Sequence, residues 1–212
     1  MRTLAILPVK RFALAKTRLR EQLAPAQLRR LAEAMVGDVL DTLLATAALD
    51  GVVVVTNEPA VTALAGGHGA CVLPDPTESG QSAAALVGIR HALTNGYERV
   101  LLVPGDCPAL DAQALDTLLE RPVAPPAVTI VADRHGSGTN ALLLTPPDAI
   151  EPAFGPGSFE RHRQRASTAN AAWHIEPLPG LLLDIDTPED LGELRRVLAR
   201  RTTRTSAVLE QL

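Results

Sequence analysis

The chain has 212 residues, of which 46% are hydrophobic and 21% charged, with a formal net charge of −4 at pH 7. This length and composition predict one globular domain with a full hydrophobic core. The acidic balance offers no electrostatic footprint for duplex nucleic acid. Because only 2% of the residues are aromatic, base stacking on exposed rings is also disfavoured. We therefore expect no nucleic-acid partner.

The N-terminus and the cysteines bear on the compartment. No apolar run reaches the length of a membrane span, and Met1 leads into a strand-like segment without a secretory pattern. Cys71 and Cys107 lie far apart and lack metal-ligand spacing, which is typical of reduced core thiols. We expect a cytoplasmic protein with no membrane association.

The first half of the chain alternates β-branched apolar runs with helical patterns. Such alternation predicts a mostly parallel sheet with helices on both faces. The predicted strands are residues 3–9, 52–55, 70–73 and 99–103, and the predicted helices begin at Pro25, Pro59 and Ser82.

The second half has a different rhythm. Residues 128–132 and 141–145 read as strands without an intervening helix, which predicts an antiparallel insertion in a mixed sheet. A helix is predicted after Ser158, strands near 173–176 and 181–183, and a last helix from Pro188 to about residue 200. The fold class is therefore α/β. We assign residues 1–200 to one domain and expect residues 201–212 to form a frayed C-terminal tail.

Several aspartates follow predicted strands. Asp106 follows strand 99–103, Asp133 follows 128–132, and Asp184 and Asp186 follow 181–183, where strand alternation directs both to one face. Ligands of open α/β sheets bind beyond the carboxyl ends of the strands, and carboxylates there suit Mg²⁺ when substrate phosphates complete its shell. The alternative is that these aspartates cap turns and helices, and Asp186, two residues before Pro188, is the strongest such case.

The chain has only two lysines, Lys10 and Lys16, among 20 basic residues, and both lie in the loop after the first strand. A compact ammonium there suits the β- and γ-phosphates of a nucleotide and a leaving pyrophosphate. The alternative is a pair of solvated loop charges. Neither a Walker-type loop nor Gly-x-Gly-x-x-Gly follows the first strand, which disfavours hydrolysis of that type and dinucleotide binding.

Two glycine-rich segments, 136–140 and 154–159, offer backbone amides. Ser158 stands just before a helical stretch, so an anion there would gain amide bonds and a favourable helix dipole. The structural alternatives are a hairpin turn for the first segment and a serine N-cap for the second.

Five motifs occur in order from the first residues to about residue 198. They are Pro8-Val9-Lys10 with Ala15-Lys16-Thr17-Arg18-Leu19, Gly105-Asp106-Cys107-Pro108, Gly138-Thr139-Asn140-Ala141-Leu142, Phe154-Gly155-x-Gly157-Ser158-Phe159-x-x-His162, and Asp184-x-Asp186-Thr187-Pro188-Glu189-Asp190-Leu191. Together they resemble the phosphoenolpyruvate/2-phospho-L-lactate guanylyltransferases of coenzyme F-420 biosynthesis.

The resemblance implies a three-layer, Rossmann-like nucleotidyltransferase domain with a mixed, mostly parallel sheet. It implies GTP as donor, Mg²⁺ as metal, and a small phospho-acid, phosphoenolpyruvate in the bacterial branch, as acceptor. Carried over by position, Lys16 and Asp106 are the catalytic residues. Thr139, Gly155 and Ser158 bind phosphoenolpyruvate; Lys10, Lys16, Gly80 and Ser82 bind the nucleotide; Asp106, Asp184 and Asp186 hold the metal. This chain has Gly80-Gln81-Ser82 where the family often has Gly-Leu-Asn.

Alternative functions remain open at this stage. The same chemistry serves 2-phospho-L-lactate or another phospho-acid, and molybdenum-cofactor and sugar-phosphate enzymes are related rivals. A Leu-Ala-Gly-Gly-x-Ser loop after the first strand, typical of the molybdenum type, is absent. A nucleotide-binding regulatory module without catalysis is a rival from another class, which the presence of the metal aspartates disfavours. The sequence leaves the oligomeric state open, with a homodimer as one possibility.

Overall fold

The computed structural model describes residues 1–14 and 17–212. Within them, strands form one sheet in the order β3-β2-β1-β4-β6-β5-β7, which confirms the predicted mixed sheet. The strands are β1 (Thr3–Val9), β2 (Gly51–Thr56), β3 (Cys71–Leu73), β4 (Arg99–Leu102), β5 (Ala127–Ala132), β6 (Thr139–Thr145) and β7 (Ala172–Ile175).

Most helices begin where the sequence predicts, and α4 was not anticipated. They are α1 (Pro25–Ala45), α2 (Pro59–Gly67), α3 (Gln81–Thr94), α4 (Ala112–Leu119), α5 (Ser158–Thr168), α6 (Pro188–Leu198) and α7 (Arg204–Leu209), with 3-10 turns at Phe12–Leu14, Thr17–Glu21 and Pro179–Leu181. None of the helices described is both long and apolar enough to cross a membrane.

Strand β6 runs opposite to the rest of the sheet. It pairs antiparallel with both β4 and β5, whereas β1 pairs parallel with β2 and β4. The predicted antiparallel insertion is therefore confirmed. Because of its direction, β6 begins at the edge where β1, β4 and β5 end. Its first residues thus lie at the ligand-binding edge of an open α/β sheet.

Alternate side chains of β1 face two different helical layers. Leu4 and Ile6 pack in a cluster with Ile89 of α3, while Leu7 packs in another with Leu40 of α1. Burial on both faces explains why the strand is continuously apolar rather than alternating. The predicted three-layer architecture is confirmed.

The strand predicted at 181–183 is wrong. The chain instead forms a 3-10 turn over Pro179–Leu181 and then a loop into α6. Pro179 lacks a backbone donor, and Gly180 lies so close to Ala109 that an added Cβ would be 2.7 Å from its carbonyl oxygen. This close packing takes the place of pairing with the sheet. The orientations of Asp184 and Asp186 are therefore not set by the alternation of a strand.

Within the tail expected to fray, residues 204–209 form α7. The Asp38 carboxylate of α1 accepts hydrogen bonds from the backbone N–H groups of Arg204 and Thr205, at 2.9 and 2.8 Å. These two donors have no partner within the helix itself. Leu209 is buried in a cluster with Met35, so the tail packs onto α1.

Candidate active site

A cavity of about 590 Å³ opens at the carboxyl ends of the central strands. This is the size range of small-molecule sites and the position expected for an open α/β sheet. Most of the residues predicted from the sequence meet here. The lining includes Lys10, Gly80, Asp106, Asp133, Thr139, Gly155, Ser158, Asp184 and Asp186.

The acidic wall of the cavity consists of Asp106, Asp184 and Asp186. Burial raises the pKa of Asp184, and the negative charge of Asp106 raises it further, with a smaller effect from Asp186. Carboxylates that repel one another in this way favour a bound cation. Within the part of the chain that the structure describes, however, no three His, Cys, Asp or Glu side chains form a ready-made metal site. The arrangement fits Mg²⁺, which commonly takes one or two protein carboxylates and completes its shell with substrate phosphates and water.

Asn140 holds Asp184 in position. Its side-chain amide donates to the carbonyl oxygen of Leu181 at 2.5 Å and to Asp184 Oδ1 at 3.4 Å. Asn140 is buried at the start of β6. It therefore ties the loop that replaces the predicted strand to the sheet edge.

Asp186 does not cap α6. The N-cap is Thr187, and the carboxylate of Asp190 accepts from the backbone N–H groups of Asp186 and Thr187 at 2.9 and 2.6 Å. Burial acts to raise the pKa of Asp190, but these two bonds and the charge of Arg134 together lower it. Arg134 forms an ion pair with Asp190 and also lines the cavity. The capping alternative for Asp186 is thus excluded, because its neighbour has that role.

Asp133 organises its own loop. Its Oδ1 accepts from the backbone N–H groups of His135 and Ser137 at 3.1 and 3.0 Å. Its carboxylate is therefore engaged in the turn between β5 and β6, as the structural alternative predicts. It lines the cavity without an evident role in metal binding.

The predicted nucleotide-binding residues fall into three groups. Lys10 is exposed directly after β1 and lines the cavity, whereas Lys16 lies outside the described residues. Gly80 lines the cavity at the N-cap of α3, with a φ of 111° that favours glycine. Ser82 instead accepts a hydrogen bond from the backbone N–H of Phe154 at 2.8 Å. It thus anchors the segment 154–159 to α3.

Ser158 lines the cavity as the first residue of α5. The N-cap is Gly157, so Ser158 is not the serine cap considered from the sequence. The residue is 1% exposed, and its Oγ has no hydrogen-bond partner among the described residues. The backbone N–H groups of Ser158 and Phe159 already donate to Gly155 and Ser137. The free group that this part of the lining offers to a ligand is therefore the hydroxyl, rather than those two amides.

Thr139 also lines the cavity and is joined to α5 through His162. Thr139 Oγ1 is 2.9 Å from His162 Nδ1, and His162 Nε2 accepts from the backbone N–H of Ala153 at 2.7 Å. His162 is fully buried. Burial lowers its pKa to about 4, with additional lowering by the charges of Arg165 and Arg161.

The pairing between β5 and β6 contains a register shift at the start of β6, next to Thr139. Val131 pairs with Ala141 and Ala132 pairs with Thr139, so Asn140 has no partner opposite it. Such a bulge re-aims side chains. Thr139 consequently reaches His162 on one side of the sheet, and Asn140 reaches Asp184 on the other.

Gly155 also lines the cavity, in the loop before α5, with a φ of 109°. An added Cβ would meet nothing closer than Arg161 Nη2 at 4.0 Å. Backbone conformation, rather than crowding by the protein, is therefore what requires glycine here.

The sequence reasoning assigned no role to Asn140, Arg134 or His162. Asn140 and His162 both occur in the family motifs. The spacing of four residues between Ser158 and His162 could have indicated that His162 lies on the same face of the helix as Ser158. Arg134 carried no signal, because its partner Asp190 is distant in the chain.

Several solved structures share this architecture. A putative nucleotide-diphospho-sugar transferase from Desulfovibrio desulfuricans has a TM-score of 0.77 at 17% identity, covering 100% of this chain and 95% of the other. A cytidylyltransferase from Leptospira borgpetersenii has a TM-score of 0.62 at 16% identity, covering 100% and 93%. The fold is that of the nucleotidyltransferases.

Sequence comparison assigns the family. Residues 3–212 match the family described as guanylyl transferase CofC like. The chain is 47% identical to the phosphoenolpyruvate guanylyltransferase of Conexibacter woesei, covering 100% of this chain and 97% of that protein. It is 39% identical to that of Sphaerobacter thermophilus, covering 92% and 93%. The protein belongs to the CofC-like guanylyltransferase family and is a nucleotidyltransferase.

Proposed function

We propose that this protein transfers GMP from GTP to phosphoenolpyruvate, giving enolpyruvyl-diphospho-guanosine and pyrophosphate, in coenzyme F-420 biosynthesis. One observation carries the proposal. A single cavity joins an acidic wall, with Asp106 and Asp184, to a wall bearing the hydroxyls of Thr139 and Ser158. The first wall suits a metal-bound triphosphate, and the second suits a small anion. The names of relatives that this chain matches over nearly their whole length support the same reaction.

The reaction needs no general base. A phosphate oxygen of phosphoenolpyruvate attacks the α-phosphorus of GTP, a new P–O bond forms, and the bond from that phosphorus to the bridging oxygen of the β-phosphate breaks. The electron pair leaves with pyrophosphate. The second pKa of a phosphomonoester is near 6, so the attacking oxygen is already ionised at pH 7. Catalysis then rests on positioning and on neutralising the developing charge.

We assign the metal to Asp106, Asp184 and Asp186. A bound Mg²⁺ would supply charge neutralisation at the phosphates of GTP. The raised pKa of Asp184, caused by burial and by the charge of Asp106, supports a site that gains from a cation. Asn140 would support Asp184 in this role through the 3.4 Å hydrogen bond.

We assign the acceptor to Thr139, Gly155 and Ser158. The buried Ser158 hydroxyl has no partner among the described residues, and leaving such a group unsatisfied is costly unless a ligand binds it. Lys10 and Gly80 are the described candidates for the nucleotide, and Lys16 remains a candidate from the sequence alone. The cytoplasmic location likewise stays a prediction.

A substrate panel tests the proposal. Purified protein is incubated with Mg²⁺ and one of GTP, ATP, CTP or UTP, together with phosphoenolpyruvate, 2-phospho-L-lactate or 3-phosphoglycerate, and pyrophosphate release is measured. We expect the highest kcat/KM with GTP and phosphoenolpyruvate. Higher efficiency with 2-phospho-L-lactate would reassign the acceptor. The Asp106→Asn variant is the control for contaminating activity, and no release from the wild type with any pair would overturn the proposal.

A further inference from the structure

The fully buried His162 bridges two groups on opposite sides of its ring. Its Nε2 lies 2.7 Å from the backbone nitrogen of Ala153, and its Nδ1 lies 2.9 Å from Thr139 Oγ1. A backbone N–H only donates, so Nε2 accepts and carries no proton. The proton of the neutral ring is therefore on Nδ1, which donates to the Thr139 hydroxyl oxygen.

The surroundings keep the ring neutral and fixed. Burial, followed by the charges of Arg165 and Arg161, lowers the pKa of His162 to about 4. The ring of Phe154 contacts it edge-on, with centroids 5.3 Å apart. The ring thus has one protonation state and one orientation at neutral pH, so the direction of its bond to Thr139 is also fixed.

The direction of the hydrogen bond from His162 to Thr139 determines whether the Thr139 hydroxyl can donate to a ligand. A hydroxyl has one proton and two lone pairs, and His162 occupies one lone pair. No other hydrogen bond of Thr139 Oγ1 occurs among the described residues, and Thr139 lines the cavity. Its proton is then available to the cavity. Anionic phosphate and carboxylate oxygens accept hydrogen bonds and do not donate them, so they match this arrangement.

Resting on the proposed function, we infer that His162 is a positioning residue that directs the Thr139 hydroxyl proton toward an anionic oxygen of the acceptor. Ser158, four residues before His162 on α5, lies on the same helix face. One face of α5 therefore provides one donor directly and orients a second through the imidazole.

The tautomer is tested without any substrate. In protein labelled with ¹⁵N-histidine, long-range ¹H–¹⁵N spectra distinguish a protonated ring nitrogen from an unprotonated one. We expect the signals that disappear in His162→Asn to show a protonated Nδ1 and an unprotonated Nε2, unchanged from pH 8 to pH 6. A protonated Nε2, or a charged ring at pH 7, would overturn the inference.

Two substitutions separate orientation of Thr139 from anchoring of Ala153. In His162→Asn the amide nitrogen takes the place of Nδ1 and still donates to Thr139, but Ala153 loses its acceptor. In His162→Gln the amide oxygen takes the place of Nε2 and still accepts from Ala153, but Thr139 loses its donor. We expect His162→Gln to raise the acceptor KM about 3- to 10-fold, the effect of one lost hydrogen bond, with the KM for GTP unchanged. His162→Asn should lose more stability but bind the acceptor better than His162→Gln.

Matched controls complete the test. His174 contacts Thr129 Oγ1 at 3.1 Å outside the lining of the active-site cavity, so His174→Gln should leave the acceptor KM unchanged. Thr139→Val should raise it, and adding His162→Gln to Thr139→Val should then have no further effect. An equal increase by His162→Gln with and without the Thr139 hydroxyl would mean that His162 acts only through the loop. If Thr139→Val does not fold, Thr139→Ser, which keeps the hydroxyl, should retain the sensitivity to His162→Gln.

Failure of this inference is distinguishable from failure of the proposed function. The tautomer is measured on the free protein, and the variants are compared with the preferred acceptor of the panel, whichever it is. A wild type without guanylyltransferase activity would overturn the function while leaving the measured tautomer standing. Full activity with the opposite tautomer would overturn only the role of His162.

Discussion

The side-chain amide of Asn140 donates to both Asp184 Oδ1, at 3.4 Å, and the carbonyl oxygen of Leu181, at 2.5 Å. Asn140 belongs to β6, whereas both acceptors belong to the irregular segment before α6. One buried amide thus fixes the distance between the sheet edge and a carboxylate of the acidic wall.

Replacement of Asn140 by alanine should weaken the metal site. Loss of both hydrogen bonds leaves the Leu181 carbonyl oxygen without this partner and Asp184 free to turn. Since residues that orient metal ligands typically contribute 10- to 100-fold to metal affinity, we expect the Mg²⁺ concentration for half-maximal activity to rise about 10-fold. Titration of activity with Mg²⁺ measures this. Asn95→Ala, at the C-cap of α3, is the control, and an equal shift in both variants would contradict the role of Asn140.

Asp106→Asn should remove most of the activity without unfolding the protein. The substitution removes one negative charge from the acidic wall at constant volume, and a correctly placed metal contributes several kcal/mol to transition-state stabilisation. We expect kcat to fall by about 100-fold or more while the thermal midpoint is retained. Asp111→Asn is the matched control, because Asp111 caps α4 and asparagine caps helices equally well. Near-wild-type turnover of Asp106→Asn at saturating Mg²⁺ would remove Asp106 from the site.

Ser158→Ala should impair acceptor binding and leave stability equal or higher. The hydroxyl is buried with no partner among the described residues, so its removal deletes an unsatisfied polar group from the free protein. Loss of a hydrogen bond to a charged acceptor costs about 1.5–3 kcal/mol, which corresponds to a rise of about 10- to 150-fold in KM for phosphoenolpyruvate. The KM for GTP should change much less. Steady-state kinetics with each substrate varied in turn, together with thermal unfolding, measure both effects.

Thr205→Val provides the control for Ser158→Ala. Thr205 Oγ1 is likewise buried without a partner among the described residues, but it lies in α7, away from the cavity lining. The Thr205→Val substitution should leave the KM values for GTP and phosphoenolpyruvate unchanged. A defect of Ser158→Ala confined to GTP would place the Ser158 wall on the nucleotide side of the cavity.

His162 should make the protein less stable as the pH falls below about 6.5. Its pKa is about 4 in the folded state and near 6.5 when unfolded, so between these values the unfolded chain binds more protons. The free energy of unfolding is therefore highest above the pKa of His162 in the unfolded chain. It decreases as the pH falls toward the pKa of His162 in the folded protein. From pH 7 to pH 5 the loss is about 2 kcal/mol of unfolding free energy. Urea unfolding at both pH values measures it. His162→Gln should show a pH dependence smaller by that amount, and an identical dependence in both proteins would mean that His162 titrates normally.

The local pattern of the sequence determined most of the strand–helix order, apart from α4, α7 and the segment 181–183, because helical and strand periodicities are properties of short segments. It placed β1 and the antiparallel pair β5–β6, and it singled out Asp106 and Ser158. Thr139 and Gly155 were assigned through the family resemblance, and all four residues line one cavity. It also supported the family through motifs whose order along the chain needs no structure.

Tertiary structure alone decided how these residues are oriented. The β-bulge at Asn140 in β6 decides which face of the sheet Thr139 takes and which face Asn140 takes, and the Pro179–Leu181 turn replaces a strand that apolar content had predicted. The deciding contacts join residues 23 positions apart in the Thr139–His162 pair and 41 apart in the Asn140–Leu181 pair. The α7 helix forms because Asp38, 167 positions before Thr205, accepts its first N–H groups. Hydrogen bonds between such distant segments leave no periodic signal in the chain, because their partners meet only after the layers have packed.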